Sequence, residues 1–148
     1  MDYDFTKPGT FPRSGREQLG GIVFLPRTID KMRAFINGTA GEYSSHRGLS
    51  SRVFNLFGVT PEQFEQAVRE NPTDEGVLQW LQEHGKRPSQ QEIEAHNQAV
   101  LNAGPQDEQG MARFRANLER LGFGDRTDVK THVDAEDLEE GREVPRRG

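Results

Sequence analysis

The sequence predicts an all-α protein, an irregular bundle of about five or six helices with an extended N-terminal arm and a polar C-terminal segment wrapping the bundle. Three observations predict this class. Apolar residues recur at three- and four-residue steps in segment after segment. Helix start signals, a hydroxyl or carboxylate residue followed three positions later by Glu or Gln, stand at the heads of several of those segments. No stretch shows a two-residue alternation bounded by hairpin turns. At 148 residues the chain is most simply one domain, 1–148, long enough to bury a single sizeable core. It is divided into an extended arm (1–13), a helical core (14–124) and an acidic C-terminal segment (125–148) that is at least partly packed.

The arm contains Pro8, Gly9 and Pro12 with two aromatics, Phe5 and Phe11, a composition for an extended strand of chain pinned by its rings. Ser14 and Glu17 have capping-box spacing, so a helix is expected to begin near Gly15. Gly20-Gly21 weakens that helix and Pro26 removes a donor, which predicts a kink or restart near Leu25. Residues 19–43 are the most informative stretch. They read as an amphipathic helix with Ile22, Leu25, Ile29, Met32 and Ile36 on one face, and Arg27, Asp30, Lys31 and Ala34 on a second stripe. Asn37-Gly38 is a good stop, because both residues tolerate the left-handed conformation.

Residues 39–50 form a polar loop of small residues, and 52–57 a short helix ending at Gly58. Thr60-Pro-Glu-Gln63 combines an N-cap, Pro at the first helical position and a capping-box Gln; its helix buries Phe64, Ala67 and Val68 and stops before Asn71-Pro72. Thr73 caps the next, with Asp74 and Glu75 favourable to the dipole, Val77, Leu78 and Leu81 as its stripe, Trp80 beside it and His84-Gly85 at its end. Ser89 and Glu92 open another, carrying Ile93, His96, Val100 and Leu101. Asp107 caps a last long helix with Met111, Phe114, Leu118 and Leu121, ended by Gly122. From Asp125 the chain turns polar, with Val129, Val133 and Leu138 as its few anchors. It reads either as a partly ordered tail with a short acidic helix over 134–140, or as a segment that brings Asp128, His132 and Asp134 to a site.

Composition excludes several functions. No run approaches the roughly 18 apolar residues of a membrane span, and Met1-Asp2-Tyr3-Asp4 does not begin like a secretion signal. With no cysteine, disulfides, thiolate nucleophiles and Cys-based metal sites are ruled out, which fits a cytoplasmic protein. A net charge of -5 with scattered basic residues argues against nucleic-acid binding. Gly20-Gly21 lacks the remainder of a phosphate-binding fingerprint. No Ser, His and Asp set has local spacing that favours nucleophilic catalysis, but triads also assemble across long separations, so that chemistry stays open. Glu92 and His96, four apart, are a lone pair of potential metal ligands, and His84 and His132 have no partner at ligand spacing. No cofactor and no metal are expected.

The candidate site is the charged stripe. Arg27, Asp30 and Lys31 are helix neighbours, because positions three and four apart lie side by side. They are either a salt-bridge cluster tying the helix to the next element, or an anion-recognising wall with Arg27 as the planar fork and Lys31 as a movable charge. Glu42 and Tyr43 follow where the chain leaves the helix, and His46 lies in the adjoining loop. For acid–base work on a small anionic or oxygenated molecule, Asp30 or Glu42 is the base, Tyr43 the acid and Arg27 the charge stabiliser, with Lys31 and His46 binding ligand. The alternative is a non-enzymatic interaction module that docks a protein through its acidic C-terminal segment. Oligomeric state is not legible.

Phe11-Pro-Arg-Ser14, Leu19-Gly-Gly21, the LPRTIDK string at 25–31, Gly41-Glu-Tyr43 and Arg126-Thr-Asp128 before an acidic end resemble, in combination, a bacterial family catalogued as domain of unknown function 5069. The resemblance spans about Phe11 to Gly141 and implies that the C-terminal segment belongs to the domain. It implies no activity. After Glu-Tyr, relatives tend to carry a Pro-Leu-Asp turn where this chain has residues 44–50, SSHRGLS, so the loop beside the candidate site is its least transferable part.

Overall fold

The computed structural model describes residues 1–147; Gly148, the last residue of the expected C-terminal segment, lies outside them. The chain divides into two compact units, Met1–Val100 and Leu101–Gly148. The described residues form seven helices and one two-stranded hairpin, so the all-α class holds in its main lines. None of the helices is long and apolar enough to cross a membrane.

In the first unit, the helix expected from Gly15 gives way to a hairpin: β1 (Gln18–Leu19) pairs antiparallel with β2 (Ile22–Val23), in the register Gln18 to Val23 and Leu19 to Ile22. The physical reason lies in Gly20 and Gly21. Both take positive φ, +59° and +78°, which is the backbone of a two-residue hairpin turn and incompatible with a continuing helix. The Ser14–Glu17 signal is present, but as a turn. The Glu17 amide donates to the Ser14 carbonyl at 3.1 Å, and the Ser14 amide donates to the Glu17 carboxylate at 3.3 Å. Reciprocal bonding of this kind closes a turn whether or not a helix follows.

Helix α1 (Leu25–Ile36) therefore begins where a restart was expected, with Pro26 in its first turn. Its start is made by Phe24, the one described non-glycine residue at positive φ (69°). A bulky side chain in that region costs of order 1–3 kcal/mol and persists only where the surroundings over-determine it. Here they do. The Phe24 amide donates to the Gly15 carbonyl at 3.0 Å, its carbonyl accepts from the Thr28 amide and the Thr28 hydroxyl, and the ring is 1% exposed.

Helices α2 (Ser50–Phe57), α3 (Pro61–Glu70) and α4 (Asp74–His84) follow, with α1 packed on α2 and α3, and α3 on α4. The starts are those the sequence signals. Thr60 and Gln63 form the reciprocal capping box at 3.0 and 2.8 Å, and Thr73 accepts from the Gly76 amide at 3.0 Å. The core is built from Ile29, Met32, Phe57, Phe64 and Leu81, all fully buried. Arg33 of α1 donates to the carbonyls of Val68 and Asn71, satisfying the C-terminal end of α3. Helix α5 (Gln90–Asn102) opens with the expected Ser89–Glu92 box, and the boundary between the units falls near its end.

The second unit contains α6 (Glu108–Arg120), capped by Asp107, and α7 (His132–Glu139), capped by Thr131. Leu118, Val129, Leu138 and Val144 make its small core, with Phe114 and Phe123 packed against them. The short acidic helix thus starts two residues before the expected position, because the Thr131 hydroxyl supplies the cap.

Candidate functional site

The stripe of α1 is split between two environments. Asp30, with no exposed surface, takes all its bonds from Arg13 of the arm. Oδ2 accepts from the Arg13 amide and Nε, both at 2.9 Å, and Oδ1 accepts from Nη2 at 2.9 Å. The same guanidinium donates to Asp74, in the first turn of α4, at 2.7 and 3.1 Å. One planar fork therefore ties the arm, α1 and α4 together, a geometry that lysine cannot reproduce. Burial works against the charged guanidinium, but the hydrogen bonds and charges of Asp30 and Asp74 outweigh it and raise the Arg13 pKa. Asp30 is thus paired with Arg13, and not with its helix neighbours Arg27 and Lys31.

Arg27 and Lys31 surround Phe24. The Arg27 guanidinium carbon lies 5.9 Å from the Phe24 ring centre and 5.6 Å from that of Tyr43, and Lys31 Nζ lies 5.4 Å from that of Phe24. Arg27 Nη1 donates to the Arg13 carbonyl at 3.1 Å, so the Arg13–Asp30 clamp also sets the position of Arg27. Both cations are buried, at 1% and 7% exposure, which is unusual for charges carried on long flexible stems. Tyr43 also packs against Phe5, edge to face with ring centres 5.5 Å apart. The structure therefore brings together Arg27, Lys31 and Tyr43. Glu42 is exposed.

His46 is held elsewhere. Its Nδ1 lies 2.6 Å from Ser45 Oγ, its Nε2 3.8 Å from Glu65 Oε1 of α3, and its ring packs edge-on against Phe35 at 4.7 Å. His96 is buried, and its Nε2 donates to the Val23 carbonyl at 3.0 Å. Burial lowers its pKa, against the opposing hydrogen bond to Val23 and with the help of the Arg52 charge. Glu92 is exposed and engaged by Lys86 and by the Ser89 amide, which together hold its pKa down at about 2. Among the described residues no group of three or more His, Asp or Glu side chains has the arrangement to hold a metal ion.

In the second unit, Asp128 accepts from Arg126 at 3.0 and 3.1 Å and from the Arg147 amide at 2.9 Å, and its pKa is lowered chiefly by the Arg126 bond. Asp134 is buried and pairs with Arg147 at 2.7 Å, while His132 packs edge-on against Phe114 at 5.9 Å. Burial lowers the His132 pKa.

Sequence reasoning missed Arg13, Phe24, Asp74, Ser45 and Glu65. Arg13 carried a signal, since it sits in the Phe-Pro-Arg-Ser string, but nothing local says which carboxylates it reaches 17 and 61 residues away. Phe24 carried none, because φ is not written in the residue type. The chain matches the family model described as "Domain of unknown function (DUF5069)" over residues 9–142. No curated protein matches it.

Proposed function

From a chain that belongs to the family of domain of unknown function DUF5069, we propose a protein that recognises a small anionic or oxygenated molecule through the cation pair of α1. The observation that carries this reading is the seating of Arg27 and Lys31 around the Phe24 ring, with Tyr43 against Arg27. Aromatic faces hold the two head groups in place, and a planar fork beside a point charge suits a carboxylate or phosphate. Asp30 serves this site as a positioning residue through Arg13, and Arg13 through its carbonyl to Arg27. Recognition needs no base in this scheme. Arg27, Lys31 and Tyr43 each make further interactions within the protein, so an incoming anion competes with intramolecular contacts and binds with modest affinity.

Docking through the acidic segment has less support, because Asp134, Asp137 and Glu140 of that segment are buried. The test is calorimetric titration and thermal unfolding with small mono- and dicarboxylates, inorganic phosphate and phosphate esters. A true ligand at 100 times its Kd stabilises the parent by about 2.7 kcal/mol. Arg27→Gln and Lys31→Met are expected to abolish most of that gain while remaining folded by circular dichroism. An unchanged melting temperature across the whole panel, or a gain that survives in both variants, would overturn the reading.

A further inference from the structure

The loop 44–49 and helix α3 place a serine, a histidine and a glutamate in series, an arrangement separate from the α1 cation pair and independent of the anion-recognition reading. Glu65 Oε2 accepts from Arg69 Nε at 2.8 Å, one helical turn on, which leaves Oε1 directed at His46 Nε2 at 3.8 Å. At 3.8 Å the carboxylate makes no direct hydrogen bond to Nε2, but its negative charge favours the tautomer protonated there, which leaves the lone pair on Nδ1. That lone pair faces Ser45 Oγ at 2.6 Å, within reach for proton transfer. The nucleophile–base contact is thus made at hydrogen-bond distance, and the orienting carboxylate stands just beyond it. Ser45 is 3% exposed, His46 is about a third exposed at its side chain, and Phe35 beside it is 45% exposed, which offers an apolar surface for a substrate group.

We propose that Ser45, His46 and Glu65 form a nucleophilic site for acyl transfer from small esters with an apolar acyl group. Ser45 Oγ attacks the carbonyl carbon while its proton passes to His46 Nδ1. The carbonyl C–O bond to the alcohol then breaks, and His46 returns the proton to the departing alcohol. Water, deprotonated by His46, cleaves the acyl-serine to the carboxylic acid and restores the serine. Glu65 is a positioning residue: it fixes the tautomer and does not touch the substrate.

The direct test is labelling of the intact protein with a small alkyl fluorophosphonate, in which the serine O–P bond forms, the P–F bond breaks and fluoride leaves. Mass spectrometry of the digested adduct reads the labelled residue. The expected result is one adduct on Ser45, with labelling slowed roughly 100-fold or more by His46→Gln. Glu65→Asp should retain more of the rate than Glu65→Gln, which a merely structural contact would not require. Hydrolysis of p-nitrophenyl butyrate should fall in parallel and disappear in Ser45→Ala. The proposal is overturned if parent protein, shown folded by circular dichroism, acquires no adduct on Ser45 under forcing probe concentration. It is equally overturned if labelling of Ser45 proceeds at the parent rate in folded His46→Gln.

Discussion

Asp30 illustrates how the partner of a charge, and not the charge itself, sets its role. On the helix it stands beside Arg27 and Lys31, yet its carboxylate is filled by three N–H groups of Arg13. Replacing it with Asn keeps the shape and removes the charge that a mostly buried guanidinium needs. Asp30→Asn is therefore expected to cost about 3 kcal/mol in urea unfolding at pH 7, the lower end for breaking a buried pair because Arg13 keeps 27% side-chain exposure and retains Asp74. A change below about 1 kcal/mol would mean that the clamp contributes no more than a surface pair. The same residue was legible in the sequence as important and illegible in its use. The step of three and four selects its helix neighbours, whereas Arg13 arrives from an arm whose path no periodicity describes.

At the scale of the element, the hairpin and α1 show a strong local signal and a weak one competing. Gly20-Gly21 was readable as damage to a helix; it is instead the turn that stops one from forming. Two substitutions separate the backbone and packing contributions. Gly21→Ala meets nothing within 4 Å, so only the left-handed backbone penalises it, by about 1 kcal/mol. At Gly20 a methyl would fall 2.8 Å from Leu78 Cδ2, adding a displaced side chain to the same penalty, so Gly20→Ala should be the more destabilising of the two. Equal midpoints in chemical denaturation would contradict this assignment. The start signals at Thr60, Thr73, Ser89 and Asp107 were read correctly because a cap is a local bond, made within four residues and indifferent to the rest of the chain.

For the whole molecule, the first loss of stability below neutrality comes from histidines whose charged form is disfavoured by burial, while carboxylates with lowered pKa, such as Asp128, act further into acid. His96 has its pKa lowered by burial from the ordinary 6.5, and His132 is lowered in the same direction. The unfolded chain therefore binds more protons than the native one below about pH 6.5, and stability falls as pH is lowered through that value towards the folded pKa. Urea unfolding at pH 7.5 and 5.5 should show this loss in the parent and a smaller one in His96→Gln. A difference between the two pH values that is identical in parent and variant would exclude His96 as a contributor. Its structural consequence is specific, since His96 and Asn97 together bind the hairpin: His96 at the Val23 carbonyl, and Asn97 at the Val23 amide and the Gly21 carbonyl.

The sequence by itself determined the helical class, the heads of four helices, and most of the buried faces of α3 and α4. These depend on residue spacing and on bonds that close within a turn or two. Only the tertiary structure decided that Asp30 belongs to Arg13, that Phe24 adopts a left-handed backbone between two cations, and that Ser45, His46 and Glu65 stand in series. Each of those depends on contacts between residues distant in the chain, or on a backbone angle imposed by them, and neither leaves a period in the sequence.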